Sequence, residues 1–211
     1  MTAIIDQDEA LRRARALAGQ GKRTVLGIAG PPAAGKSTLA GWLARQLGEV
    51  CAVVPMDGFH LADVELTRIG LRDRKGVPAS FDGYGYLALL RRIVAQPASG
   101  EPIVYAPAFA RDLEQPLAGA LPIPLDVPLI LTEGNYLLVD QAPWRDVRTL
   151  LTEVWYCDLA DTLRRERLFA RHREFGKEWA VAESWMTAVD DPNAELIAAT
   201  KGRADALVRM A

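Results

Sequence analysis

The sequence feature that most constrains this chain is the segment 30–37, which reads G-x-x-x-x-G-K-S. The apolar run 25–29 before it predicts a buried strand, and apolar positions at helical spacing in 38–47 predict an amphipathic helix. A glycine loop between a strand and a helix directs backbone N–H groups and the helix N-terminus toward phosphate oxygens. Lys36 adds a full charge for the β- and γ-phosphates, and the Ser37 hydroxyl can ligate Mg²⁺.

This Walker A pattern predicts a site for a nucleoside triphosphate and Mg²⁺. An accidental match in an ordinary glycine turn is the alternative, expected in about one such chain in a hundred or fewer. The residues expected to contact the nucleotide are Gly30, Pro31, Ala33, Ala34, Gly35, Lys36, Ser37 and Thr38.

Charge and hydropathy limit the partners of the chain. The 25 Lys and Arg residues are balanced by 27 Asp and Glu residues, so no global field would attract nucleic acid or a membrane surface. No apolar run approaches the ~20 residues of a membrane span, and residues 1–6 are acidic where a secretory signal would be basic. We therefore expect one cytoplasmic domain over 1–211 that binds neither nucleic acid nor membrane, with a homodimer left open.

Apolar strands that alternate with helices predict an α/β fold, with a parallel sheet covered by helices on both faces. The predicted strands are 25–29, 52–56, 127–132, 154–157 and 206–208, and the main predicted helices are 8–18, 38–47, 84–94, 161–175 and 177–189. The segments 58–82 and 97–126 are predicted as substrate-side loops, with a short strand at 103–105 in the second.

Two acids follow predicted strands at the edge where ligands of such sheets bind. Asp57 could take the proton of an acceptor hydroxyl, whereas the alternative is an aspartate that caps a turn. Glu133 ends a strand typical of the Walker B type, although many such strands carry Asp there. It could hold Mg²⁺ through water, contact the acceptor, or be only a surface acid.

The helix predicted at 161–175 is rich in arginine. Arg164, Arg167 and Arg171 fall at i, i+3 and i+7, which forms a cationic stripe over which phosphates could lie. A solvated face with helical ion pairs is the alternative. We predict a closing lid over about 164–178, with Arg167 and Arg171 acting catalytically beside Lys36 and Asp57. The predicted acceptor-side contacts are His60, Arg74, Lys75, Tyr105, Phe109, Arg111 and Glu133, although His60 could equally be a packed loop residue.

The P-loop, the corner 57–60 and the pair 133–134 together resemble the uridine kinase, phosphoribulokinase and pantothenate kinase group of P-loop kinases. Residues 74–82 are similar to a segment of bacterial pantothenate kinase. Residues 105–111 and 191–205 look more like the small bacterial branch of nucleoside/nucleotide or fructose-transport-associated kinases.

This resemblance implies a three-layer P-loop fold with a five-stranded parallel sheet, ATP as phosphoryl donor with Mg²⁺, Asp57 as base and a helical lid. Arg203, in the last of these stretches, is included among the expected nucleotide contacts. Uridine kinases carry a His-x-Arg pair where this chain has Phe109-Ala110-Arg111. The acceptor therefore stays open among nucleosides, sugars and pantothenate-like alcohols.

We expect a small-molecule kinase that transfers the ATP γ-phosphoryl group to a hydroxyl. A P-loop hydrolase that regulates a partner and a catalytically inactive nucleotide-binding module are the two alternatives. Asparagine occurs only at 135 and 193, so the sequence contains no Asn-Lys-x-Asp motif for guanine.

Overall fold

The computed structural model describes residues 2–100 and 102–210; position 101, in the predicted loop 97–126, and the ends 1 and 211 lie outside the described residues. The strands are β1 (Ala3–Ile5), β2 (Thr24–Ala29), β3 (Cys51–Pro55), β4 (Val104–Ala110), β5 (Gln115–Ile123), β6 (Leu129–Gly134), β7 (Glu153–Asp158) and β8 (Ala206–Arg209). The α-helices are α1 (Gln7–Ala18), α2 (Lys36–Leu47), α3 (Asp63–Arg68), α4 (Gly83–Ser99), α5 (Trp144–Arg148), α6 (Asp161–Glu174), α7 (Trp179–Trp185) and α8 (Asp191–Ala198).

Six strands form one parallel sheet in the order β1, β8, β7, β2, β6, β3. The expectation of five strands is wrong, because β1 pairs with β8 and adds a sixth strand at the edge. Only Ile5 of its three residues is buried, so the segment has too short a pattern to predict a strand.

Helices cover both faces of this sheet, and β2 lies in its interior. Val25 and Ala29 contribute to a core on the face that carries α4 and α5. Leu26 and Ile28 point the other way, into a core shared with α1 and α2. This alternation within a fully buried strand explains why its sequence reads as a continuous apolar run.

The strand register brings the predicted site to one edge of the sheet. Ala29 lies opposite Gly134 on β6, and Pro55 on β3 lies opposite Glu133. The P-loop begins immediately after β2, and Asp57 lies two residues beyond β3. The carboxyl ends of three neighbouring strands therefore present the P-loop, Asp57 and Glu133 together.

The segment 97–126 differs from the expected loops. It contains an antiparallel hairpin of β4 and β5, with an irregular register between Ala106 and Ala108. The region predicted as one helix at 177–189 divides into α7 and a π-helical turn, Met186–Asp190. In the described residues, no helix is both long and apolar enough to cross a bilayer.

Candidate active site

The P-loop connects β2 to α2 in a conformation that leaves an anion site at the helix start. Gly35 is the N-cap of α2, and no side chain caps the first turn. Its φ of +94° is one that residues with a Cβ rarely adopt, so this position favours glycine. The first N–H groups of α2 can therefore bind phosphate oxygens.

Lys36 is buried at this helix start, and its Nζ donates to the Pro31 carbonyl at 3.0 Å. Burial lowers the pKa of the ammonium, while the charges of Glu133 and Asp57 act against that shift. Both acids are thus close enough to act electrostatically on the P-loop lysine.

Ser37 Oγ donates to Glu133 Oε1 at 3.1 Å, which joins the P-loop to the end of β6. Burial of Glu133, followed by the charge of Asp57, raises its pKa to about 7, while Lys36 opposes this shift. A hydroxyl and a carboxylate are the oxygen donors that Mg²⁺ prefers, and a bound cation would favour the ionised acid. The donor chemistry of this pair fits Mg²⁺.

Asp57 lies on the 3₁₀ turn Met56–Phe59 that follows β3. Its Oδ2 is 3.6 Å from Arg111 Nη2, and its side chain is 30% exposed, so solvent and small molecules can reach it. Its charge acts on Lys36, Glu133 and Arg171 alike. The Asp57 carboxylate therefore lies within electrostatic range of the P-loop lysine and of Glu133.

The β4–β5 hairpin places Arg111 above Asp57. A Cβ at Gly58 would lie 2.4 Å from the Pro107 carbonyl oxygen, so only glycine allows the hairpin to approach this turn. Lys75 holds the tip of the hairpin, because its Nζ bonds both Asp63 Oδ1, at 2.7 Å, and the Glu114 carbonyl.

His60 follows the turn that carries Asp57 and packs against two aromatic rings. Its Nδ1 lies 2.9 Å from the Asp57 carbonyl, and its ring lies between Phe81 and Phe109, with centroid distances of 3.9 and 5.0 Å. Burial lowers its pKa, which favours the neutral ring. Because a carbonyl only accepts, Nδ1 carries the proton and Nε2 is left as an acceptor.

The arginines of α6 occupy three different surroundings. Arg164 is buried, and its Nη1 donates to the Pro32 carbonyl of the P-loop at 3.5 Å. Arg171 is half-buried, and the charges of both Arg111 and Asp57 act on its pKa, which burial lowers. Arg167 is exposed and lines a cavity beside the P-loop.

That cavity has a volume of about 490 Å³ and adjoins the start of α2. It is built from the P-loop side, the arginine helix and both ends of the described chain. Its lining residues are Asp6, Gln7, Asp8, Gly35, Thr38, Arg167, Arg209 and Met210.

No family model matches the chain. A uridine kinase-like protein of Schizosaccharomyces pombe is 30% identical over 80% of this chain and 74% of its own length. A solved structure described as a fructose transport system kinase, from Silicibacter sp. TM1040, has a TM-score of 0.83 at 31% identity, covering 96% of this chain and 98% of that one. This chain belongs to the P-loop kinases. A pantothenate kinase of Clavibacter michiganensis subsp. michiganensis is also 31% identical over 88% of this chain and 66% of its own length.

Not every residue predicted for this P-loop kinase site lies near Asp57. Tyr105 is exposed on β4, two residues before Pro107. Arg74 is exposed on the loop beside Lys75. Arg203 precedes β8, at the edge of the sheet opposite the P-loop, and pairs with Asp140 at 2.7 Å. The structure therefore places Arg203 away from the P-loop.

The sequence analysis did not predict the cavity-lining residues near the two ends of the chain, which are 6–8, 209 and 210. Met210 follows β8, whose carboxyl end must reach the edge that carries the P-loop, so chain order could have indicated it. Asp6, Gln7 and Asp8 carried no comparable signal, because their position depends on the short strand β1.

Proposed function

We propose that this P-loop kinase transfers the γ-phosphoryl group of ATP to a hydroxyl of a small molecule, in the class of nucleosides, sugars and pantothenate-like alcohols. One observation supports this reaction most directly: Lys36, Glu133 and Asp57 lie at one edge of the sheet, where their charges act on one another. A phosphate-binding lysine, a cation-binding acid and a proton acceptor are what phosphoryl transfer to an alcohol requires.

The P-loop side would hold the donor nucleotide. The uncapped N–H groups of α2 and the Lys36 ammonium would bind the β- and γ-phosphates. Ser37 and Glu133 would hold Mg²⁺, which supplies charge neutralisation when bound. The cavity lined by Thr38 and Arg167 has the position and size to take the nucleoside end of ATP.

On the acceptor side, Asp57 would accept the proton of the attacking hydroxyl. Arg171, on which the charge of Asp57 acts, would stabilise charge on the group being transferred. Arg111 and the free acceptor nitrogen of His60 would orient the rest of the alcohol. Closure of the segment 164–178 over the nucleotide remains part of this proposal.

ATP consumption with Mg²⁺, measured with and without uridine, fructose and pantothenate, tests the reaction. The kinase predicts strong dependence on one class of alcohol. Asp57→Asn should retain binding of a non-hydrolysable ATP analogue and lose roughly 10²–10⁴ in kcat, because the proton acceptor is removed.

The other outcomes separate the alternatives. Hydrolysis at one rate whatever alcohol is added favours a P-loop hydrolase. Nucleotide binding with no turnover across an extended panel of alcohols favours a binding module. Unchanged turnover in Asp57→Asn removes that residue from the chemistry.

A further inference from the structure

Three residues at the start of α8 contact two parts of the site that are distant in sequence. Asp190 ends the π-helical turn, Asp191 begins α8, and Asn193 lies two residues further in. We call these three the junction residues. All three are buried or half-buried. π-Helical turns are rare in proteins, and those that occur are frequently found at functional sites.

Asp190 contacts the carboxyl end of α6, the helix that carries the arginines. Its Oδ2 accepts a hydrogen bond from His172 Nε2 at 2.7 Å. His172 Nδ1 in turn accepts from Lys177 Nζ at 3.0 Å, and this ammonium lies 4.2 Å from the centre of the Trp185 ring. The charge of Asp190 also acts on Arg171, the residue adjacent to His172.

Asp191 is attached to the other end of the same helix. It forms an ion pair with Arg165, and its Oδ1 lies 3.7 Å from Arg164 Nη2. That Oδ1 atom is buried and has no hydrogen-bond partner in the described residues. Because Arg164 also donates to the Pro32 carbonyl, Asp191 is connected to the P-loop through the Arg164 side chain.

Asn193 is attached to the acceptor side. Its Nδ2 donates to the Gly76 carbonyl at 3.3 Å, and Tyr136 Oη donates to the same oxygen. Gly76 belongs to the loop 74–82, whose Lys75 holds the hairpin tip and whose Phe81 packs on His60. The junction residues therefore join the arginine helix to the wall of the acceptor crevice.

We propose that the junction residues couple the loop 74–82 to helix α6, so that nucleotide engaged by the arginines also orders the acceptor wall. Asp190 and Asp191 act as positioning residues for Arg171 and Arg164, and Asn193 carries the effect to Gly76. Because coupling free energies are reciprocal, an occupied acceptor wall would favour engagement of the arginines in return. This device would limit ATP hydrolysis in the absence of an acceptor. The inference rests on the proposed nucleotide site.

Hydrogen exchange on the whole protein, with and without adenylyl imidodiphosphate and Mg²⁺, tests the coupling without knowledge of the acceptor. In the wild type, the analogue should slow exchange in 164–178 and in 74–82, each by about fivefold or more. Asn193→Ala should retain the protection of 164–178 and lose that of 74–82. This variant should still fold, because Tyr136 continues to satisfy the Gly76 carbonyl.

Two further variants make the result specific. Glu195→Ala changes an exposed residue on the same helix and should behave as the wild type. Asp190→Asn keeps the shape of the side chain and removes its charge, so it should reduce protection of both segments while the thermal midpoint of the free protein changes little.

The inference and the proposed function fail in different ways. If the analogue protects neither the P-loop nor 164–178 of the wild type, the nucleotide site itself is wrong. If the analogue protects the P-loop and 164–178 but not 74–82, the coupling is wrong. The coupling is also wrong if the analogue protects 74–82 in Asn193→Ala as strongly as in the wild type.

Discussion

At the scale of single residues, Glu133 combines two requirements that oppose each other. Its position at the end of a buried strand keeps it out of water, which favours the neutral acid. Its proposed role beside Ser37 requires the charged form. The neighbouring Asp57 increases the conflict, because it raises the pKa of Glu133 still further. We infer that cation and nucleotide binding would resolve it.

This conflict predicts a pH dependence of the nucleotide-free protein. The pKa of Glu133 rises from 4.5 to about 7 on folding, so the folded protein favours the protonated acid. The contribution of this acid to folding stability is fully present below pH 4.5 and is lost as the pH rises through about 7. Glu133→Gln should therefore lose less thermal stability than the wild type between about pH 6 and pH 8. Thermal melts at both pH values, without Mg²⁺ or nucleotide, measure the difference.

The same variant should bind Mg²⁺ about 10–100-fold more weakly in the presence of nucleotide, because an amide replaces the carboxylate. Glu49→Gln, at an exposed position, is the matched control and should change neither property. A wild-type melting profile in Glu133→Gln would show that the acid is already ionised in the free protein.

At the scale of elements, the β4–β5 hairpin brings Arg111 to Asp57, although it lies outside the parallel sheet. It reaches the catalytic edge because its Pro107 carbonyl packs against Gly58, next to Asp57 in sequence. Three prolines and several alanines replace the alternating apolar pattern of an ordinary strand. Contacts with other segments, such as those of Pro107 and Glu114, hold the hairpin in place. The sequence of the hairpin alone therefore predicts only a short strand there.

Gly58→Ala should separate acceptor chemistry from nucleotide binding. The new Cβ would meet backbone atoms of Pro107, which cannot rotate away, so the hairpin and Arg111 must shift. We expect a loss of roughly 1–3 kcal/mol in the free energy of unfolding, and a lower kcat/KM for the acceptor with unchanged binding of the ATP analogue. Gly202→Ala, where the Cβ meets open space, is the control, and urea unfolding with ATP-consumption assays would measure both effects. Equal behaviour of the two variants would contradict the packing argument.

A second contact between elements joins Arg23, the residue before β2, to the carboxyl-terminal part of α4. The Arg23 guanidinium donates to the carbonyls of Ile93, Pro124, Leu125 and Val127 and to the Gln96 side chain. An arginine fork can serve five acceptors in this way, whereas a lysine has three donors at one point.

Arg23→Lys should therefore lower the free energy of unfolding by about 1–3 kcal/mol, because it leaves part-buried acceptors without donors. Chemical denaturation measures the change. The exposed neighbour Lys22, changed to Ala, should cost less than about 0.5 kcal/mol. Similar midpoints for Arg23→Lys and the wild type would show that water replaces the lost donors.

At the scale of the whole molecule, the features that the sequence predicts are those encoded locally or by strand order. The P-loop is a contiguous motif, and Asp57 and Glu133 follow apolar runs whose ends must meet in a parallel sheet. The features it does not predict depend on contacts between distant segments. Asn193 bonds a carbonyl 117 positions away, and Arg203 pairs with Asp140 instead of approaching the P-loop.

The cavity beside the P-loop supports a prediction at this scale. Gln7→Trp should partly fill the space proposed for the nucleoside, and the Kd for ATP should rise about tenfold, equivalent to 1.4 kcal/mol. Binding of inorganic tripolyphosphate should stay unchanged, because the P-loop is untouched. Gln20→Trp, at the far end of α1, adds the same bulk to an exposed position. Calorimetry compares the two ligands; an equal loss of affinity for both would argue against a nucleoside site there.

The pairing of β1 with β8 also has a consequence for biosynthesis. The cavity is lined by residues 6–8 and by residues 209 and 210, so it cannot exist until nearly all of the described chain has left the ribosome. The P-loop is translated early, but the cavity beside it assembles last. Because this cavity is the proposed nucleoside site, ATP would not assist the first stages of folding through it.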